Sequence, residues 1–161
     1  MTQKDKELLL QDLCCRLPYG VIVRHADYLV DSDGNHTGQF WYKRGYLYDI
    51  CRLDNMTTTI IESEGSDEEG YEHICDLERS LPYLRPMSSM TEGEKKEYDS
   101  FLFDNLERED VIGYEDKVFG IDVIMRYRSW DVIQWLLEHQ FDFNGLINLG
   151  LALEAPEGMY N

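Results

Sequence analysis

The sequence is poor in positive charge: 15 lysines and arginines stand against 32 aspartates and glutamates, and the formal net charge of the 161 residues is −17. A surface with this charge repels the phosphates of nucleic acids and of anionic lipids, so direct binding to DNA, RNA or a membrane is not expected. No apolar stretch approaches the roughly 20 residues of a membrane-spanning helix. The N-terminus is charged and has no apolar signal segment. We therefore expect a cytoplasmic protein.

Catalytic and metal-binding motifs are also missing. No two of the four cysteines have the spacing of a zinc knuckle or a redox motif, and His73 and Cys75 have no evident third ligand nearby. The sequence has no glycine-rich phosphate loop or dinucleotide fingerprint, and Ser88–Ser89 lacks the glycine elbow of hydrolases. We expect no catalytic residue, no metal and no cofactor. An enzyme of unrecognised type, built for example on Cys51 and His25, stays open as a third hypothesis.

The chain does contain enough apolar material for a folded core. Hydrophobic residues make up 43% of the sequence and aromatic residues 12%, whereas disordered chains combine high charge with few aromatic residues. A chain of this length buries roughly two-thirds of its unfolded surface. We predict a single α+β domain over residues 1–161, in which an N-terminal helix and a C-terminal helical part pack on a small, mainly antiparallel sheet.

The first half of the chain predicts one helix followed by strands. Thr2 and Asp5 form a candidate capping box for a helix over about residues 3–16. A β-rich segment, residues 18–61, has turn signals at intervals of roughly ten residues, which is typical of an antiparallel meander. Within it, Arg44–Gly45 is predicted to end the second of four strands.

The second half predicts mainly helices. An acidic loop is predicted over residues 62–72, then a short helix over 72–79 and an extended segment over 81–87 that contains two prolines. The helical part spans residues 91–150 and begins with a capping box formed by Thr91 and Glu94. Within this part, residues 107–116 are predicted to form a loop and residues 118–127 a strand.

Five aromatic residues lie close together in the β-rich segment: Phe40, Trp41, Tyr42, Tyr46 and Tyr48. Alternation along a strand places Phe40 and Tyr42 on one face and Trp41 on the other. Core packing is the favoured interpretation of this group. The alternative is that one face is a surface for a partner.

The negative charge is concentrated in the middle of the chain. Residues 62–122 contain 19 acidic and 6 basic residues, a net charge of −13. The ordinary interpretation of the acidic loop is a solvated segment that keeps the protein soluble. The functional interpretation is a docking surface for a basic protein partner, because aligned carboxylates accelerate association at low salt. The candidate partner-binding residues are Glu62, Glu64, Asp67, Glu68, Glu69 and Glu72.

Two segments of the chain are similar to a known group of proteins. Residues 82–92 read PYLRPMSSMTE, and residues 139–160 contain GLALEAPEGMY. The combination resembles a group of small uncharacterised acidic proteins of gut anaerobes and their phages, which recur in mobile-element and phage contexts. The resemblance implies this setting, and it implies neither an activity nor a role for any residue.

These observations lead to two main hypotheses. The first is a non-enzymatic accessory protein that binds another protein, in its sharpest form an inhibitor whose acidic face imitates the phosphates of nucleic acid. The alternative is a small structural or virion-associated assembly component, whose contact surface is aromatic and includes Phe40, Trp41 and Tyr42. The oligomeric state and the identity of the partner are left open.

Overall fold

The computed structural model describes residues 1–30, 33, 36–53, 56–63, 72–105 and 130–160. The elements are α1 (Gln3–Arg16), β1 (Ile22–Val30), β2 (His36–Leu53), β3 (Met56–Ser63), β4 (Glu72–Asp76), β5 (Leu81–Leu84), α2 (Glu92–Asn105), α3 (Trp130–Glu138) and β6 (Leu153–Glu154). They confirm the predicted α+β class. The predicted loop 107–116 and strand 118–127 lie outside the described residues.

The six strands form one sheet in the order β4-β3-β2-β1-β5-β6. The first four strands pair antiparallel with their neighbours in the chain and form a meander. The meander predicted for residues 18–61 is present, but three strands cover this segment instead of four, and Glu72–Asp76 provides the fourth. β5 pairs antiparallel with the other side of β1, and β6 runs parallel to β5. The sheet is therefore mainly antiparallel.

Helix α1 packs on one face of this sheet, which we call the inner face. Leu9 and Leu13 of α1 are completely buried against Val23, Leu47 and Ile61. The helix begins at the predicted capping box. The Thr2 N–H donates to Asp5 Oδ2 at 2.8 Å and the Asp5 N–H donates to Thr2 Oγ1 at 3.2 Å, which satisfies two N-terminal donors.

Strand β2 differs from the prediction, because it runs unbroken through Arg44–Gly45. Gly45 lies inside the strand, opposite Ser63 of β3. A Cβ atom on residue 45 would lie 2.4 Å from the Glu62 carbonyl oxygen and 2.5 Å from Ile61 Cγ2. The glycine thus permits a close approach of two strands rather than ending one of them.

The segment after the acidic residues also differs from the prediction. Residues 72–76 form strand β4 instead of the start of a helix, and only Leu77–Arg79 form a 3₁₀ turn. The side chains alternate, because Cys75 is buried on the inner face whereas Ile74 is 62% exposed. Because acidic residues flank this short strand, the alternation of its buried and exposed side chains is hard to recognise in the sequence.

A second apolar cluster joins α2 and α3. Trp135 is buried at its centre and stacks on Phe141, with 5.6 Å between ring centroids, and on His139, with 4.2 Å. Helix α2 begins at the predicted capping box, since the Glu94 N–H donates to Thr91 Oγ1 at 3.2 Å and the Thr91 N–H donates to Glu94 Oε2 at 2.7 Å.

A buried ion pair connects α1 to the segment after α3. The side chains of Arg16 and Asp12 are fully buried, with 2.7 Å between Arg16 Nε and Asp12 Oδ2. Arg16 also donates to the Phe141 carbonyl at 2.8 Å and to Gln140 Oε1 at 3.4 Å. Asp12 accepts a further bond of 2.9 Å from the Asn144 amide. Every charged group is therefore compensated by hydrogen bonds, which burial in a low-dielectric interior requires.

We expect a single substitution of either Asp12 or Arg16 to destabilise the fold strongly. Asp12→Leu or Arg16→Met alone leaves one buried charge unpaired and should lower the free energy of unfolding by about 3–5 kcal/mol. The double variant removes both charges and should cost clearly less than the sum of the two single variants. Urea denaturation of the three variants measures this coupling, and strictly additive costs would contradict it.

The close approach at Gly45 gives a second stability prediction. Gly45→Ala should destabilise the fold by about 1–3 kcal/mol, because the added methyl group meets backbone atoms of β3 that cannot move independently. Gly93→Ala is the matched control, since a Cβ on this exposed residue of α2 has open space around it, with only Thr91 Oγ1 at 3.9 Å. The control should be neutral or stabilising by up to about 1 kcal/mol. Equal thermal midpoints for the two variants would refute the argument.

Candidate functional site

The outer face of the sheet, opposite α1, carries a line of exposed aromatic side chains on β2. Phe40, Tyr42, Tyr46 and Tyr48 are between 43% and 61% exposed, and we call these four residues the aromatic stripe. Trp41 projects to the other face and is 48% exposed, with the Lys43 ammonium 4.5 Å from its ring centroid. The expectation that this group packs in the core is therefore wrong.

A β-bulge decides which residues of β2 reach the outer face. Leu47 pairs with Ile61 and Asp49 pairs with the next residue of β3, so that Tyr48 is the extra residue. Before the bulge the even-numbered side chains face outwards, and after it the odd-numbered ones do. Tyr48 continues the outward alternation of the stripe, and the bulge then returns Ile50 to the core instead of leaving it on the outer face.

Arginines border the stripe on the β1 side. The Arg24 guanidinium lies 4.3 Å from the centroid of the Tyr42 ring, and the Arg79 guanidinium lies 5.7 Å from that of Phe40. The Phe40 and Tyr42 rings meet edge to face, with centroids 5.6 Å apart. These distances are within the range of cation–π interactions, which hold both guanidinium groups against the aromatic rings.

The exposed side chain of Glu62 borders the stripe on the β3 side. Tyr46 pairs with Glu62 of β3, and Glu62 pairs with Glu72 of β4. Glu62 and Glu72 are therefore strand residues, which corrects their assignment to a loop: the β3–β4 ladder extends two residues further than the acidic composition indicated. Of the remaining candidate residues, Glu64, Asp67, Glu68 and Glu69 lie outside the described part of the chain.

The cysteines and histidines do not form the pairs considered from the sequence. Cys51 Sγ lies 3.2 Å from Thr58 Oγ1. His25 instead contacts His73 across the curled inner face, with 4.9 Å between ring centroids, and the Cys75 thiol donates to the Ala26 carbonyl at 3.6 Å. Among the described residues, no group of three or more histidines, cysteines and carboxylates could hold a metal ion.

A groove of about 500 Å³ runs between α1 and the turns at the end of the sheet. Its charged residues include Lys6 and Glu78, which form an ion pair with each other. Its lining residues are Gln3, Lys6, Glu7, Leu10, Arg52, Met56, Thr57, Asp76, Leu77 and Glu78. This lining contains no histidine, cysteine or serine, the residue types of most nucleophile and base pairs.

The two segments that carry the family resemblance meet in the fold. β5 and β6 pair in parallel, and the Tyr160 hydroxyl donates to the Tyr83 carbonyl at 2.7 Å. Arg85 makes a bidentate pair with Glu94, at 2.7 and 2.9 Å, and lies 4.3 Å from the centroid of the Phe141 ring. The hydrogen bonds from Arg85 lower the pKa of Glu94 to about 2. The polar groups of the two segments thus form hydrogen bonds and ion pairs within the fold. We therefore assign the two segments a structural role.

Comparisons with known proteins found no match: no family model, no curated protein and no solved structure matches the chain. In the described residues, no helix has both the length and the apolar character needed to cross a membrane. The outer face of the sheet is therefore assessed on its own geometry.

The Arg85–Glu94 pair predicts a pH dependence of stability. Because the pKa of Glu94 falls from 4.5 to about 2 on folding, its carboxylate stabilises the fold above about pH 4.5, and this stabilisation is lost as the pH falls towards 2. Glu94→Gln should lower the free energy of unfolding at neutral pH by up to about 3 kcal/mol. It should also flatten the dependence on pH between these limits.

Urea denaturation at a series of pH values measures both effects. Glu92→Gln is the matched control, because the ion pair of Glu92 with Lys95 is exposed and such pairs contribute little. A slope in Glu94→Gln equal to that of the wild type would refute the assignment.

Proposed function

We propose that this chain is a non-enzymatic accessory protein that binds a basic protein partner through the outer face of its sheet. The observation that carries the proposal is the aromatic stripe, four large exposed rings on one face of a single strand, with the exposed Arg44 between Tyr42 and Tyr46. Contiguous exposed apolar surface is uncommon on soluble monomers and marks interaction sites. Tyrosine, tryptophan and arginine are also the residue types that dominate binding energy at protein interfaces.

The charge of the chain supports a basic partner. The net charge of −17 attracts positively charged proteins over long distances, and Glu62, which is exposed, is the cross-strand partner of Tyr46. In the sharpest form of this proposal, the partner handles nucleic acid and the carboxylates occupy the positions of phosphates. The resemblance of residues 82–92 and 139–160 supports a phage or mobile-element setting for such an inhibitor.

Self-assembly is the second candidate, and the layout of the outer face favours it. Arg24 lies on the β1 side of the stripe and Glu62 on the β3 side. A two-fold axis along β2 would place the arginine side of one copy over the carboxylate side of the other, as in an isologous interface. The stripe would then lie on the axis of a structural component.

The test uses the tagged chain as bait, followed by affinity measurements with the purified partner. Tyr42→Ser should weaken binding about 30-fold, as expected for a buried interface anchor, while the exposed position keeps the fold stable. Trp130→Ser is the matched control, because Trp130 is 65% exposed but lies outside the stripe. Unchanged affinity in Tyr42→Ser would overturn the proposal.

A second set of variants tests the role of charge. Replacing Glu62, Glu64, Asp67, Glu68, Glu69 and Glu72 by Gln or Asn should slow association at low salt and have little effect at high salt. An unchanged affinity at low salt would refute the acidic-face form of the proposal. A bait that captures only further copies of itself, with a concentration-dependent mass in sedimentation, would favour self-assembly.

A further inference from the structure

A second apolar feature of the outer face runs across the strands instead of along β2. Ile60 of β3 is the cross-strand partner of Ile74 of β4, and on its other side it faces the bulge at Tyr48 of β2. Because Ile61 and Cys75 belong to the core on the inner face, their neighbours Ile60 and Ile74 project from the outer face. Tyr48 is 61% exposed and Ile74 is 62% exposed, with the half-buried Ile60 between them. We call Tyr48, Ile60 and Ile74 the isoleucine row.

Carboxylates border the isoleucine row. Glu62 is exposed and lies two residues from Ile60 on the same face of β3, which is a distance of about 7 Å along the strand. Asp49 is also exposed and pairs with Ile60 at the bulge. Arg24 and Arg44 lie further away, where β2 pairs with β1. Apolar surface bordered by carboxylates is complementary to apolar side chains bordered by lysines or arginines.

The direction of the row favours a helix as its occupant. Neighbouring strands are about 4.8 Å apart, so the row spans about 10 Å from β2 to β4. On a helix, residues i, i+4 and i+7 share one face and span about 10.5 Å. Side chains on one face of an extended segment are about 6.8 Å apart, so two such steps exceed the length of the row. A helix that crosses the strands therefore matches the row better than an extended segment does.

A second copy of this chain is a poor source of such a helix. In the described part of the chain, α1, α2 and α3 each contain at least as many acidic as basic residues. None of these three helices therefore brings the positive charge that Glu62 and Asp49 would attract. The charges favour a helix from a different, basic protein.

We propose that the isoleucine row binds an amphipathic helix of a basic protein, with apolar side chains against Tyr48, Ile60 and Ile74 and a lysine or arginine beside Glu62. This inference rests on the proposed function, because it uses part of the same outer face. It names the helix as the element that is recognised. It also extends the contact surface from β2 to β3 and β4.

The first experiment titrates the full chain with a designed helical peptide of about 18 residues. The peptide has leucines at positions i, i+4, i+7 and i+11 and lysines along both borders of this apolar face. The methyl signals of Ile60 and Ile74 are followed in ¹H–¹³C NMR spectra. Both should shift saturably, while the methyl signal of Ile133 in α3 should stay unchanged. Shifts that never saturate, or that are as large at Ile133, would contradict the proposal.

Two matched peptides separate helix docking from attraction by charge alone. Replacing the leucines by serines keeps every lysine, and a single proline at the centre prevents a continuous helix. Each change should weaken binding at least tenfold. Equal affinity for the serine peptide would mean that only charge is recognised, and equal affinity for the proline peptide would mean that the occupant is not a helix. Either result would overturn the proposal.

Variants of the chain locate the contact. Ile74→Thr should weaken peptide binding about tenfold, since threonine suits a strand but removes most of the apolar contact. Glu62→Gln should weaken it several-fold at low salt and only slightly at high salt. Leu149→Thr is the matched control, because Leu149 is 58% exposed but lies outside the strands. An unchanged affinity in Ile74→Thr, or an equal loss in Leu149→Thr, would refute the assignment.

The results distinguish failure of this proposal from failure of the proposed function. If Ile74→Thr has no effect on the peptide while Tyr42→Ser weakens binding of the captured partner, only the helix site fails. If the peptide binds at Ile74 while Tyr42→Ser leaves the captured partner unaffected, only the aromatic stripe fails. A concentration-dependent mass of the chain alone, lost in Ile74→Thr, would assign the row to a second copy and would also overturn the helix site.

Discussion

The buried pair of Arg16 and Asp12 is the interaction on which the described structure depends most. Leu9 and Leu13, on the same helix, belong to the core of the sheet, while Arg16 bonds to the Phe141 carbonyl of the second cluster. The pair therefore joins the two apolar clusters. Because neither charge has access to water, each of its hydrogen-bond partners must occupy a defined position. This requirement specifies the relative placement of α1 and the segment after α3.

The backbone of the segment after α3 also adopts a conformation that the hydrogen bonds of this ion pair require. Gln140 has a φ angle of 57°, a left-handed conformation that glycine usually occupies at the end of a helix. Its side chain accepts a bond from Arg16 and donates one of 2.9 Å to the Tyr19 carbonyl. A glycine would adopt this conformation with less strain but would leave two buried polar groups without partners. The conformational strain at Gln140 is thus offset by the hydrogen bonds of the ion pair.

The proposed function, in contrast, concerns the outer face of the sheet, opposite α1. The inner face is filled by α1 and by the contact between His25 and His73. The outer face combines an aromatic stripe, which includes the exposed Arg44 between two of its rings, with Arg24 on the β1 side and Glu62 on the β3 side. In the proposed function, long-range attraction would arise from the whole charge of the chain, whereas anchoring would arise from a few aromatic rings at short range.

The sequence by itself determined the features that depend on residues close in the chain. Both capping boxes, the α+β class and the meander follow from spacings of three or four residues, alternation and turn residues. Only the tertiary structure decided that Gly45 lies inside a strand, because the atoms that require a glycine belong to β3. It also decided that the aromatic stripe is exposed, since alternation defines two faces but not which of them α1 covers. Burial is a property of the assembled elements, and no local pattern contains it.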